Sequence, residues 1–174
     1  MNNRAIFVGR FQPFHLGHLK VVNLAFKEGV EELIIVIGSA EDNHTLRNPF
    51  TAGERFEMIR DTLTEYKKIE IIPISDLKNN SAWVTTIKSY LPPFSIVYTN
   101  EPMSKRLFKE EKFAVRGMLR DNKNYSGTNI RELIIKEDPT WISLVPTQVA
   151  DIIHRIDGVN RLIDLSKKDL TYSC

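Results

Sequence analysis

Five short apolar runs, at residues 5–8, 33–38, 69–74, 95–99 and 113–115, alternate with longer stretches of helical periodicity. A strand followed by a helix and another strand pairs in parallel with its predecessor, because the crossover returns the chain to the same end of the sheet. The alternation therefore predicts an α/β fold with a doubly wound parallel sheet of about five strands. Helices are expected at 16–28, 52–66, 82–91, 102–110 and 128–136. The pair Thr51 and Glu54 has the spacing of a capping box, which fixes the start of the second helix. After Pro146 the apolar positions Val149, Ile152, Ile153 and Ile156 fall at helical intervals, and Gly158 separates them from a second pattern at 159–165. A chain of 174 residues with 42% hydrophobic content can close one core and is short for two. A single domain over 1–174 is expected, with C-terminal helices at 146–167 packed on it.

The first strand leads into Gly9-Arg10-Phe11-Gln12-Pro13-Phe14-His15-Leu16-Gly17-His18, which opens the first helix. A helix start offers unpaired N–H groups and a partial positive charge, which suits an anion. Gly9 and Gly17 lack a Cβ, so backbone and ligand can approach closely there. His15 and His18, three residues apart, share a face of the first turn, and with Arg10 they can grip a polyphosphate. A metal pair is the alternative reading of the two imidazoles. Zinc needs further ligands, and the remaining His44, His154, carboxylates and Cys174 supply no spaced set. No metal site is expected. Far along the chain, Ser126-Gly127-Thr128 precedes another helix, with Arg131 one turn on. It reads either as a turn and cap or as a second phosphate cradle.

The string Gly-Arg-Phe-Gln-Pro-Phe-His-x-Gly-His resembles the signature of the nucleotidyltransferase superfamily, in the form carried by archaeal-type nicotinamide-nucleotide adenylyltransferases. Residues 125–131, Tyr-Ser-Gly-Thr-Asn-Ile-Arg, resemble that family's later phosphate motif, and residues 38–40 and 49–55 match it in order. The likeness runs over most of residues 4–167. It implies a Rossmann-like fold and transfer of the adenylyl group of ATP to nicotinamide mononucleotide, giving NAD and pyrophosphate. It implies catalytic roles for His15, His18 and Arg10. It also implies ATP contacts from Gly9, Gly17, Arg47, Ser126, Gly127, Thr128 and Arg131, and acceptor contacts from Asp76, Asn80 and Trp83. Trp83 reads equally as a core residue. Magnesium would bridge the ATP phosphates without a dedicated protein cage. A homo-oligomer such as a hexamer goes with the resemblance. The chain departs from the family pattern at Glu41, and in having no basic residue directly before Tyr125.

Sister enzymes using flavin mononucleotide or phosphopantetheine share the first motif, and a non-catalytic nucleotide sensor could keep it. The net charge of +2 is too balanced to suggest a nucleic-acid binder. The single cysteine, Cys174, excludes an internal disulfide, and no apolar run approaches the roughly 20 residues that span a bilayer. No membrane partner and a cytoplasmic location are expected. Met103-Ser104-Lys105-Arg106 superficially resembles the lysine-serine loop of class I aminoacyl-tRNA synthetases, but lies within an expected helix and reads as surface.

Overall fold

The computed structural model describes residues 3–76, 82–117 and 125–171, with side chains described as far as residue 167. Its centre is a five-stranded parallel sheet in the order β3-β2-β1-β4-β5. The strands are β1 (Arg4–Gly9), β2 (Glu32–Ile37), β3 (Ile69–Pro73), β4 (Ile96–Tyr98) and β5 (Ala114–Arg116). Successive side chains of a strand face opposite sides, and here both sides are buried. Ala5 and Phe7 of β1 join Leu33, Ile35 and Ile37 of β2 in one core, while Ile6 and Val8 join Ile34 and Val36 in the other. Burial on both faces explains why these strands read as continuous apolar runs rather than alternating ones.

The first core is covered by α1 (Leu16–Lys27), α2 (Ala52–Thr62) and α5 (Gly127–Ile135), and also takes Val149, Ile152 and Ile153 of α6 (Thr147–Arg155) and Leu162 of α7 (Gly158–Thr171). The second is covered by α3 (Trp83–Tyr90) and α4 (Pro102–Glu110). α1 stops because Gly29, at φ +87°, takes the left-handed turn that lets its own N–H bond Phe26 O and that of Val30 bond Ala25 O. α2 is shorter than the sequence pattern suggests. The Thr62 hydroxyl donates to Met58 O at 2.7 Å, and Tyr66 N turns onto Leu63 O, so the last four expected residues become a turn. A 3₁₀ helix at Pro139–Leu144, opened by Asp138 accepting from Thr140 N, has no counterpart in the periodicity. Among the described residues no helix is long and apolar enough to cross a membrane.

The strand order reverses at β1, whose neighbours are β2 and β4. In doubly wound sheets the carboxyl ends of the strands beside that reversal leave a crevice, and here it holds the site.

Candidate active site

A cleft of about 610 Å³ opens over the carboxyl ends of the sheet. Gly9 and Arg10 leave β1 into it, Gly38 and Ser39 leave β2, Asp76 follows β3, and Asn100 and Glu101 follow β4. His18 and Arg47 reach it from α1 and from the loop before α2, and Trp83 closes one side. Arg10, His18, Arg47, Asp76 and Trp83 thus share one cavity.

The first turn of α1 is built around its two imidazoles. His15 caps the helix, and its backbone N–H donates to His18 Nδ1 at 3.2 Å. An Nδ1 that accepts carries no proton, so the neutral ring has its proton on Nε2, which remains as the donor. The two rings stack with centroids 3.5 Å apart, and Phe7, Phe11 and Phe14 surround His18 at 4.8–5.8 Å. Burial pushes His15 down to about 3, and burial followed by the neighbouring His15 pushes His18 well below the ordinary histidine range. Both are therefore neutral at pH 7 before any anion binds. The buried Nδ1 of His15 has no partner among the described residues.

The glycines of this turn serve packing. A Cβ on Gly9 would meet the Phe11 ring at 3.0–3.3 Å, and one on Gly17 would meet Tyr125 Cβ at 2.9 Å and the His15 ring at 3.0 Å. A side chain at either position would collide with the protein's own atoms, and Gly9 also lines the cleft. Gly17 also shows that the second motif abuts the first, through Tyr125.

That contact continues at Gln12. Its carbonyl accepts from Arg131 Nη1 at 2.7 Å, while its side-chain amide brackets Phe50, donating to Phe50 O at 2.8 Å and accepting from Phe50 N at 3.0 Å. Ser126 caps α5 by accepting from Asn129 N, and the exposed Thr128 accepts from Arg131 Nη2 at 3.3 Å. Ser126, Gly127, Thr128 and Arg131 do not line the cleft; they stand against Gln12, on the segment that joins the cleft-lining Arg10 to α1. His15 lies beneath its partner ring and does not line it either. Burial, and then the charges of Arg10 and Arg47, lower Arg131 to about 10, so it stays protonated.

Arg10 is half-buried and donates to Asn48 Oδ1 at 3.3 Å, and Asn48 donates in turn to Asp42. Gln12, Ser39 and Arg55 lie in the motif stretches and Asn48 beside one, but the sequence gives them no role, because no residue type among them announces one. Asp76 accepts from Ser39 Oγ at 2.6 Å and from Ser39 N at 3.2 Å. Glu41, the departure noted above, accepts from Asp76 N at 3.1 Å. Trp83 is 8% exposed and packs with Ile74, Val84 and Ile87, so it is a core residue that also borders the cleft. Asn80 and residues 118–124 lie outside the described residues.

One expectation is overturned. Residues 103–106 are not all surface: Ser104 is buried, and it lines the cleft with Met103, Pro102 and Leu107. The cause is Glu101, whose carboxylate caps α4 by accepting from Met103 N and Ser104 N and so turns the helix's first turn inward.

Because the two histidines are held neutral, the unfolded chain binds more protons than the folded one between pH 6.5 and about 3. Stability then rises with pH across that window and is fully present above it. Thermal unfolding followed from pH 7 to pH 4 should show Tm falling, with the His15 ring resonances untitrated until the protein unfolds. A His15 titration near pH 6.5 in the folded protein would contradict this.

Fold and site together define a doubly wound α/β protein with a cleft at the reversal of strand order, beside a strand-to-helix turn. The cytidylyltransferase-like family matches residues 6–133. A nicotinamide-nucleotide adenylyltransferase of Archaeoglobus fulgidus is 49% identical, over 95% of this chain and 99% of that one, and one of Ignicoccus hospitalis is 46% identical over 95% and 99%. The chain belongs to the cytidylyltransferase-like family and, within it, to the nicotinamide-nucleotide adenylyltransferases. The crystal structure of a bifunctional NMN adenylyltransferase/ADP ribose pyrophosphatase from Francisella tularensis shares the fold, with a TM-score of 0.73 at 20% identity over 98% of this chain. This chain spans about half of that protein, 54% of its length.

Proposed function

We propose that the chain transfers the adenylyl group of ATP to nicotinamide mononucleotide, with the phosphates at the Arg10–His18–Arg47 end of the cleft and the acceptor ring toward Trp83 and Asp76. The observation that carries this is the gathering of Arg10, His18, Arg47 and the indole of Trp83 in one cavity. A phosphate oxygen of the mononucleotide attacks the α-phosphorus of ATP, and the bond from that phosphorus to the bridging oxygen breaks, releasing pyrophosphate. The nucleophile is already ionised at neutral pH, so no protein base is needed. Catalysis rests on positioning and on charge stabilisation.

His18, neutral with its proton on Nε2, donates to a phosphate oxygen as charge develops. Arg10 and Arg47 hold phosphates, since a guanidinium pairs two N–H donors with two oxygens. Ser126, Gly127, Thr128 and Arg131, outside the cleft lining, would take the outer phosphates where these extend past Gln12 toward the tip of α5. Among the described residues no three His, Cys, Asp or Glu side chains gather into a metal-ligand group. Magnesium would enter as part of the substrate, bound to ATP phosphates, while the protein's own residues carry each step above. A cytoplasmic homo-oligomer such as a hexamer accompanies this reading; sedimentation showing only monomer would remove the oligomer.

The test is to incubate the purified protein with magnesium, ATP and each candidate acceptor and to follow pyrophosphate. Release with nicotinamide mononucleotide is expected, and none with that acceptor would end the assignment. ATP binding without turnover on any acceptor would favour a nucleotide sensor. For the acceptor platform, Trp83→Phe keeps a ring in the core but reduces its face. It should raise the acceptor KM by about 3- to 10-fold, a fraction of the ~1–3 kcal/mol that base stacking supplies, and leave the ATP KM unchanged. An unaltered acceptor KM would make Trp83 a core residue only.

A further inference from the structure

Arg55, on the first turn of α2, is fully buried and makes no carboxylate contact among the described residues. Its donors go to four backbone carbonyls. Nη1 reaches Arg10 O and Gly38 O at 2.9 Å each, Nη2 reaches Ser39 O at 2.9 Å, and Nε reaches Thr51 O at 3.2 Å. These carbonyls belong to the exits of β1 and β2 and to the start of α2. Three of them flank or belong to non-glycine residues in the left-handed region, Phe11 at φ 52° and Ser39 at φ 48°. Such conformations persist only where the surroundings over-determine them. A buried cation is ordinarily paired, because burial of an isolated charge is costly. Here burial is the main influence, lowering Arg55 to about 10; Asp42, Glu41 and Asp76 act across the loop in the opposite sense, and Arg10 adds to the lowering.

We propose that Arg55 is a positioning residue of adenylyl transfer: it pins the two strand exits that carry Arg10 and the Ser39–Asp76 pair, and its unpaired charge beneath the cleft helps draw polyphosphate in. A structural filler would supply the hydrogen bonds alone. Arg55 supplies charge that no contacting carboxylate cancels, directly under the segment holding Arg10. This rests on the reading of the cleft as a polyphosphate site.

The variant Arg55→Lys separates charge from scaffold, since lysine keeps the charge but has three donors for four carbonyls and loses its proton more readily when buried. With folding checked by circular dichroism, kcat/KM for ATP should drop on the order of 10²-fold at pH 7, as expected for a small misplacement. It should fall further as pH rises from 6 to 9, through an increase in the ATP KM that the natural protein does not show, while the acceptor KM stays constant. A pH profile parallel to that of the natural protein would overturn the role of the charge. If Arg55→Lys fails to fold, the ¹⁵Nε resonance of Arg55 in the natural protein is titrated with inorganic pyrophosphate. A shift saturating together with that of Arg10 supports the proposal, and an Arg55 resonance that stays put while pyrophosphate binds overturns it. Absence of pyrophosphate binding altogether would instead sink the reading of the cleft.

Discussion

His18→Ala should lower kcat by about 10²–10³-fold while changing the affinity for nicotinamide mononucleotide by less than about threefold, the cost typical of deleting one donor aimed at developing charge. The reason lies in the ring's protonation. His15 N occupies Nδ1, so the neutral imidazole offers a single N–H at Nε2, on a residue that lines the cleft. A neutral donor contributes modestly to a ground-state phosphate that water also solvates well. Its contribution grows as charge accumulates on the leaving pyrophosphate, which is the condition for acting on kcat rather than on binding. The aromatic surroundings add a second consequence. Phe7, Phe11 and Phe14 hold the ring and exclude water around it, so a donor in that setting is stronger than the same group in solvent. Turnover would be measured at saturating ATP, and acceptor binding by calorimetry on the same preparation. Equal losses in both would mean that His18 holds the ground state, and the role assigned to it would fall.

The sequence made the sheet, its two-sided burial and the strand-to-helix turn legible because each has a local cause. Ile6 and Ile34 face one core and Phe7 and Ile35 the other, so β1 and β2 had to be unbroken apolar runs. Thr51 and Glu54 sit three residues apart and form the cap they promise, Glu54 N to Thr51 Oγ1 at 3.2 Å and Thr51 N to Glu54 Oε2 at 2.8 Å. What stayed hidden is non-local. Arg55 closes the matching stretch 49–55 without a role of its own in the sequence, and only the convergence of three segments buries it. Ser104 reads as a polar residue in a charged stretch, and only the inward turn set by Glu101 brings it to the cleft. Gly9 and Gly17 were legible as positions needing no side chain, but what fills the space, Phe11 in one case and Tyr125 with His15 in the other, depends on packing that no spacing encodes.

Gly127 carries the contact between the two motifs, and Gly127→Ala should show what that contact is worth. Alanine is the better helix former by about 1 kcal/mol, and at an unobstructed site the change would stabilise α5. Here the added Cβ would lie 2.7 Å from Gln12 O and 3.1 Å from Arg131 Nη1. The obstruction is backbone, and it is held from two sides: Arg131 Nη1 bonds that same carbonyl at 2.7 Å, and the Gln12 amide is fastened to both polar groups of Phe50. Overpacking of a fixed site costs about 1–3 kcal/mol, which outweighs the gain in propensity. For a chain of this size Tm should then drop by about 5 °C. The larger effect should be on turnover. Relief of the clash must either lift the tip of α5 or push Gln12, and Gln12 lies between Arg10 and the two imidazoles on one short segment. A displacement near 1 Å there is expected to reduce kcat/KM for ATP by about 10²-fold. Arg131→Lys breaks the same bridge without adding volume and should produce a smaller loss of Tm with a comparable loss of ATP affinity, as a buried lysine cannot reproduce both the bond to Gln12 O and that to Thr128 Oγ1. Differential scanning calorimetry and initial rates on the two variants decide the matter. If Gly127→Ala keeps the natural Tm and turnover, the segments yield to each other freely, and the rigid joining of the two phosphate motifs through Gln12 is wrong.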